Sequence, residues 1–236
     1  MFPTRVLEHR GAGLAVAILI ATLSQGCASP GARSGLNARF LSPDLDVDQL
    51  VDTFESESRE IFVQRAEIAD LLELSPGLAV ADVGAGTGLF LEPFASAVGP
   101  GGKVYAVDIS PRLIEYMKQR AGEAGWTQVE TVLCSERSAD LPQASVDVIF
   151  LCDTYHHFEY PDATLASLFS ALRPGGRLVV VDFERIPGAS REWTLNHVRA
   201  GKEIVLAEIE AAGFTFEDEP QVPGLTENYV LRFTRP

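Results

Sequence analysis

Apolar residues follow two alternating patterns between residues 78 and 212. Short apolar runs, typical of buried parallel strands, alternate with longer stretches in which apolar residues recur at helical spacing. The runs predict strands at residues 78–82, 103–108, 129–133, 145–152 and 177–183. The helical spacing predicts helices at residues 89–98, 112–124, 161–172 and 197–212. This alternation predicts an α/β domain with a parallel sheet.

Residues 47–74 precede the first strand and also show helical spacing, until Ser75-Pro76-Gly77 ends the pattern. We therefore predict a domain over residues 46–236, made of an N-terminal helical cap (46–74) and a core (78–236). Neither a repeat nor a second domain is expected. Ser110 and Pro111 predict an N-cap and a first helical position.

The first predicted strand ends in a glycine-rich turn, VADVGAGTG, residues 80–88. Glycine allows backbone angles that other residues avoid and lets a ligand approach the main chain closely. The next strand ends in Asp108, which is placed to accept hydrogen bonds from ribose hydroxyls. A dinucleotide site has the spacing GxGxxG, whereas Leu89 follows Gly88 here and the spacing is GxGxG. The pattern favours a nucleoside ligand other than a dinucleotide.

The GxGxG turn with Asp82 ahead of it resembles motif I of the class I S-adenosylmethionine-dependent methyltransferases. The run LRPGGRLVVVD, residues 172–182, resembles a later segment of the same family. The resemblance implies a Rossmann-like, doubly wound sheet of seven strands in the order 3-2-1-4-5-7-6, with helices on both faces. It also implies an antiparallel last strand, for which residues 214–219 and 228–234 form the closing hairpin.

The resemblance implies S-adenosylmethionine as cofactor and a set of residues that bind it. Residues of the turn would hold its methionine part, Asp108 its ribose, and Ile109 and Glu136 its adenine, with Asp140 close to Glu136 in the same loop. Asp147 is expected to be structural. The expected cofactor-binding residues are Asp82, Gly84, Ala85, Gly86, Gly88, Asp108, Ile109, Glu136 and Asp153.

Asp153, Tyr155 and His156 follow the fourth strand, and we expect them to line the site of transfer, because ligands bind at the carboxyl ends of parallel strands. The His156-His157 pair could abstract a proton, orient the substrate, bind a metal or pack. We expect no metal, because His9 and His197 are far away in the sequence. Only one of the two rings is expected to face the donor, and His156 is favoured.

The formal charge of -14 argues against nucleic acid as a partner, because an acidic surface repels phosphate. The acceptor is expected to be a small or lipid-like molecule, a quinone or a protein also being open, and the oligomeric state stays open. Two other functions are considered: a lipid-anchored protein that binds the cofactor without turnover, and a nicotinamide-dependent oxidoreductase. The GxGxG spacing argues against the oxidoreductase.

The first 26 residues have the anatomy of a secretory signal, with Arg5 and Arg10 before an apolar stretch. Cys27 follows Gly26 directly, as in bacterial lipoprotein signals. We expect residues 27–45 to form a flexible tether and lipidated Cys27 to anchor the chain at the periplasmic face of the cell envelope. A cytoplasmic protein is the alternative if this segment is not processed. Cys134 and Cys152 are expected to be free thiols, because their strands lie roughly 14 Å apart in the implied order.

Cys27→Ser is expected to release the chain from membranes, because it removes the atom that would carry the lipid. Metabolic labelling with palmitate measures this directly. Equal labelling of the wild type and Cys27→Ser would exclude lipidation at Cys27.

Overall fold

The computed structural model describes Met1 and residues 35–236. The expected signal segment and Cys27 lie outside the described residues. In the described part of the chain, no helix has the length and apolar character needed to cross a bilayer.

The seven strands form one sheet in the predicted order, β3-β2-β1-β4-β5-β7-β6. Only β7 runs antiparallel to its neighbours, as expected. The strands are β1 (Ala79–Val83), β2 (Lys103–Asp108), β3 (Val129–Leu133), β4 (Val146–Cys152), β5 (Leu172–Phe183), β6 (Thr215–Asp218) and β7 (Asn228–Thr234). The apolar run at 79–83 is explained by burial on both faces, since all of β1 is buried.

Helices cover both faces of the sheet, as predicted. They are α1 (Val47–Phe54), α2 (Glu60–Val63), α3 (Arg65–Asp70), α4 (Leu91–Val98), α5 (Pro111–Ala124), α6 (Pro161–Ala171), α7 (Glu192–His197) and α8 (Lys202–Ala211). Side chains of β1 alternate between two apolar clusters: Val80 packs with α3, α4 and α5, whereas Ala81 packs with α6 and α8. Pro111 occupies the first turn of α5, but Ser110 makes no side-chain cap bond.

The cap at residues 47–70 is three short helices rather than one continuous run. The chain breaks at residues 55–59, where Ser56 and Ser58 favour turns over helix. Side chains at the break then contact other elements. The Glu55 carboxylate pairs with Arg120 of α5 and accepts a hydrogen bond from the Thr87 hydroxyl. At this break the backbone conformation is determined by tertiary contacts rather than by the helical spacing of apolar residues.

The described half of the expected tether, residues 35–45, is packed on the domain. Asn37 donates hydrogen bonds from its backbone N–H to Glu159 and from Nδ2 to the carbonyl oxygen of His157. Leu45 is buried against α1 and α5. These contacts explain why a segment that is rich in turn residues is nevertheless fixed.

The boundaries of two other elements differ from the prediction. Residues 197–212 form no single helix, because α7 ends at His197 and α8 begins at Lys202. The intervening loop is held by Arg185, whose guanidinium donates to the carbonyl oxygens of Leu195 and Val198. β5 begins at Leu172 rather than at Arg177.

Glu60→Ala is expected to lower the free energy of unfolding by about 1–3 kcal/mol. The Glu60 carboxylate accepts hydrogen bonds from the backbone N–H groups of Thr226, Glu227 and Asn228, and from the Thr226 hydroxyl. Urea unfolding measures the loss. Glu57→Ala is the matched control, since Glu57 is exposed in the same segment. Equal effects of the two substitutions would contradict a role for Glu60 in fastening the cap.

Candidate functional site

A cavity of about 1300 Å³ lies at the carboxyl edge of the sheet, where β1 and β4 pair and the chain order reverses. Ligands of doubly wound sheets bind at this point. One end is lined by the glycine-rich turn and the end of β2, the other by the segment after β4 and by α7. Residues of the N-terminal segment, Phe40 and Phe54 among them, form a further wall.

Gly84, Ala85 and Gly86 line the cavity, whereas Gly88 does not. A Cβ atom at Gly88 would lie 2.6 Å from Leu91 and 3.3 Å from Met117. Gly88 therefore allows α4 and α5 to pack closely, and its expected contact with a ligand stays a prediction. The backbone at Gly84 and Gly86 has positive φ, 76° and 57°, which explains why glycine is used in the turn.

Asp82 and Asp108 are buried carboxyls at the ends of β1 and β2, each about 5% exposed or less. Asp108 accepts hydrogen bonds from the backbone N–H groups of Gly86 (2.9 Å) and Ser110 (2.8 Å). Burial raises the pKa of Asp108 to about 6, although these hydrogen bonds oppose the shift. Burial and the charge of Asp108 raise the pKa of Asp82 to about 8. Oδ2 of Asp82 is buried without a hydrogen-bond partner among the described residues.

Ile109 and Glu136 line the cavity beside Asp108, where the resemblance placed an adenine contact. Asp140, the other acidic residue of that loop, is exposed and does not belong to the cavity lining. Of the two acidic residues left open by the sequence, Glu136 therefore faces the site. Asp147 is structural, as expected, because its Oδ2 accepts the backbone N–H of Ala79 and pairs with Arg173.

Asp153 lines the cavity and already has two partners. Its carboxylate pairs with Arg59 from the cap, and its Oδ1 accepts a 2.6 Å hydrogen bond from Nδ2 of Asn228. Burial raises the pKa of Asp153 to about 6, although the charge of Arg59 opposes the shift. Neither Arg59 nor Asn228 was among the site residues expected from the sequence. Only the fold shows that both residues reach the end of β4.

His156 is buried in the cavity wall and is held by Asp182, a residue that the sequence analysis missed. Nδ1 of His156 and Oδ1 of Asp182 share a 2.7 Å hydrogen bond, and the His156 backbone N–H donates to Oδ2. Burial alone would lower the pKa of His156, but the charge and hydrogen bond of Asp182 outweigh burial and raise it. The signal for Asp182 was present, since this acidic residue lies at the carboxyl end of the strand next to β4.

His156, His157 and His197 come together, which the sequence analysis did not expect. One ring nitrogen of each lies within 4.8 Å of the others. Both His156 and His157 line the cavity, because residues 155–157 form a 3-10 turn, in which adjacent side chains are about 120° rather than 180° apart. Which of the two rings faces the donor stays a prediction. Burial and the two other rings lower the pKa of His157 to about 3. The premise that His197 is too distant to join the pair is likewise corrected.

Tyr155 is not part of the cavity, which corrects its expected place in the transfer site. The 3-10 turn points its ring into the core beneath β4 and β5, where it is fully buried. Its hydroxyl donates a 2.8 Å hydrogen bond to Glu208, which also pairs with Arg199. Burial raises the pKa of Tyr155 well above its usual value. Tyr155 therefore anchors α8 to the sheet.

Aromatic side chains surround the histidines and complete that end of the cavity. Trp193 stacks on His197 with ring centroids 4.6 Å apart, and Phe183 contacts both Trp193 and His156. Phe40 meets His157 edge to face at 5.3 Å. The Cys152 thiol lines the same cavity, and burial raises its pKa well above its usual value. Cys134 and Cys152 are free, as predicted.

Residues 74–216 match a protein family described as a methyltransferase domain. Nocamycin O-methyltransferase of Saccharothrix syringae is 31% identical over 169 residues, which cover 71% of this chain and 60% of the relative. A ubiquinone/menaquinone biosynthesis C-methyltransferase of Burkholderia orbicola is 31% identical over 111 residues, 47% of this chain and 45% of the relative. The chain thus spans about half the length of the curated relatives it matches.

Solved structures support the same fold. An S-adenosylmethionine-dependent methyltransferase of Aquifex aeolicus superposes with a TM-score of 0.71 at 24% identity, covering 81% of this chain and 99% of that one. At this identity the likeness establishes the fold alone.

Gly84→Ala is expected to lower the free energy of unfolding by about 3 kcal/mol or more, through a steric clash added to the cost of positive φ. A Cβ at Gly84 would lie 2.2 Å from Cγ2 of Thr154. Gly86→Ala is the control, because its nearest neighbour, Phe54, is 3.7 Å away. It should cost only about 1–2 kcal/mol. Denaturant unfolding of both variants measures these two losses of unfolding free energy. Equal losses would contradict the close approach of Thr154 to Gly84.

Proposed function

The chain belongs to the class I S-adenosylmethionine-dependent methyltransferases, and from this premise we propose that it methylates a small, largely apolar acceptor. The observation that carries the proposal is the continuity of the cavity. A single space joins the glycine-rich turn, where the family binds its donor, to the histidine and aromatic end, where an acceptor would lie.

The residues at the turn fit S-adenosylmethionine. This ligand carries positive charge, and Oδ2 of Asp82 is a buried carboxylate oxygen that lacks a partner among the described residues. A bound cation would favour the ionised form of Asp82, whose pKa is raised to about 8 by burial and by the charge of Asp108. Six residues that line the cavity would hold the donor: Asp82, Gly84, Gly86, Asp108, Ile109 and Glu136. When bound, S-adenosylmethionine supplies a methyl group activated on a sulfonium.

The cavity leaves room for a second molecule. Its volume of about 1300 Å³ exceeds the range of roughly 300–1,000 Å³ that is typical of sites for one drug-sized ligand. Phe183, Trp193 and Phe40 offer apolar ring surfaces at the histidine end. A wall formed by the N-terminal segment favours a small acceptor over a macromolecular one. These features support an apolar molecule that presents one reactive oxygen, sulfur, nitrogen or carbon atom.

The chain contributes mainly by positioning and by excluding water, which are the usual sources of catalysis in transfer between two bound molecules. The cap closes on the turn through Glu55, which pairs with Arg120 and accepts the Thr87 hydroxyl. Arg59 and Asn228 fix Asp153 between the two ends of the cavity. Asp182 fixes the ring of His156, which faces the acceptor.

The function is tested by incubating the purified chain with donor labelled at the methyl group, together with envelope and cytosolic extracts in separate reactions. The expected result is a labelled small molecule in one extract. If the labelled product is absent when Asp108→Asn replaces the wild type, methyl transfer depends on the cavity. Binding of the donor with no labelled product in either extract would contradict turnover and favour a binding protein. The extract that supplies the acceptor also bears on the proposed envelope location.

Asp108→Asn is expected to weaken donor binding by about 1.5–3 kcal/mol, or roughly ten- to a hundredfold, because a neutral amide replaces a charged acceptor. Asp140→Asn removes the same charge from an exposed position outside the cavity and should bind the donor like the wild type. Calorimetry compares the two variants. Equal affinities would contradict the place of Asp108 in the donor site.

Donor affinity is expected to rise with pH between about 6 and about 8. Because burial raises the pKa of Asp108 to about 6 and that of Asp82 to about 8, both carboxyls hold protons below those values. Ionised carboxylates bind hydroxyl groups and cations more strongly, so binding should also release protons. Calorimetry in buffers of different ionisation enthalpy measures both effects. A donor affinity that does not change between about pH 6 and about pH 8 would contradict this prediction.

A further inference from the structure

The three histidines of the cavity have the composition of a metal site. One ring nitrogen from each of His156, His157 and His197 lies within 4.8 Å of the others, and neither thiol nor carboxylate belongs to the group as described. A tetrahedral ion with metal–nitrogen distances of about 2.1 Å separates its ligands by about 3.4 Å. The ring nitrogens would therefore have to approach one another by up to about 1.4 Å. His197, half-buried at the end of the short helix α7, lies where the chain can adjust.

Asp182 gives His156 the outer contact that ligating histidines usually have. A ligating imidazole commonly donates its second ring N–H to a carboxylate, which fixes the ring and increases its basicity. Nδ1 of His156 bonds to Asp182 at 2.7 Å, so Nε2 is the nitrogen left to face the cavity. Asp182 is itself buried and fixed by the backbone N–H groups of His156 and Phe183.

His157 and His197 are also poised to use a ring nitrogen. Nδ1 of His157 is buried and lacks a hydrogen-bond partner among the residues described. An unpaired buried polar atom costs free energy unless a ligand satisfies it. The His197 ring is oriented by stacking on Trp193. Pure packing accounts for the ring contacts but leaves the unpaired nitrogen unexplained.

We propose that His156, His157 and His197 bind a divalent transition-metal ion of the zinc type, with a fourth coordination position open to the cavity. Imidazole nitrogen suits zinc, copper, iron and nickel, whereas magnesium and calcium take oxygen ligands. Three protein ligands and an open position are the arrangement of catalytic rather than structural zinc.

The open position would hold the acceptor through an oxygen or sulfur atom, a step that rests on the proposed function. Coordination lowers the pKa of a bound hydroxyl or thiol, and its proton passes to solvent. That atom then forms a bond to the methyl carbon while the bond from this carbon to the donor sulfur breaks, and the electron pair stays on sulfur. No oxidant or reductant is required. Under this proposal His156 is a metal ligand and does not abstract the proton.

The test uses the full chain prepared without a polyhistidine tag. Zinc content after dialysis against Zn²⁺ and competition with a chromophoric chelator give stoichiometry and affinity. Replacement by Co²⁺ gives a visible spectrum that reports coordination number. We expect one ion per chain and a four-coordinate cobalt spectrum without thiolate charge-transfer absorption. Less than one ion per chain at saturating zinc, in protein that still binds the donor, would overturn the site.

Three variants assign the ion to the histidines. His197→Ala should weaken zinc binding by roughly a hundredfold or more, and Asp182→Asn by roughly ten- to a hundredfold. Trp193→Phe keeps all three imidazoles and should bind zinc nearly as the wild type does. Circular dichroism and thermal unfolding check that each variant is folded. Zinc affinity that is the same in His197→Ala and the wild type would show that the ion binds elsewhere and overturn the proposal.

The role of the ion is tested separately by removing it with a chelator before the labelling reaction. Loss of turnover that Zn²⁺ restores would support coordination of the acceptor. Full turnover without metal would overturn that part of the proposal and return His156 to the role of proton acceptor. A chain that binds zinc through the histidines but methylates nothing would contradict the proposed function and leave the metal site standing.

Discussion

The site depends on burying four carboxyl groups along one edge of the sheet. Each lies within one residue of the end of a central parallel strand: Asp108, Asp82, Asp153 and Asp182, at β2, β1, β4 and β5 in their order across the sheet. A buried carboxylate is costly unless hydrogen bonds or opposite charge compensate it. The surrounding structure supplies compensation to three of the four, and Oδ2 of Asp82 keeps none in the described chain. The position of that unpartnered oxygen fits a cationic ligand.

The partners of these carboxyls come from distant parts of the chain, so the same contacts also close the fold. The cap supplies Arg59 to Asp153, and β7 supplies Asn228. Glu60, one residue after Arg59, fastens the cap to the backbone that leads into β7. The cavity, the cap and the closing strand are therefore joined by direct contacts, which explains why an N-terminal segment of short helices can be ordered without a long amphipathic helix.

The histidine end of the cavity is also built on the carboxyl edge of the sheet. Asp182 orients His156, the 3-10 turn brings His157 to the same face, and α7 delivers His197. Aromatic rings then pack against these imidazoles, Phe40 on His157 and Trp193 on His197. A methyl acceptor bound here would meet nitrogen ligands and ring surfaces on one side and the donor on the other.

The sequence alone determined the alternation of strands and helices and the glycine-rich turn, because strand period and glycine spacing are local signals. The seven strands and their order followed from the resemblance of this turn and of the run at residues 172–182 to the methyltransferase family. It did not determine the break in the cap, the core position of Tyr155 or the packing role of Gly88, which depend on what each side chain meets after folding. Asp182, Arg59 and His197 reached the site only through tertiary structure. Residues 156 and 197 are far apart in sequence, and pairing of β4 with β5, with α7 folded back over β5, brings them together.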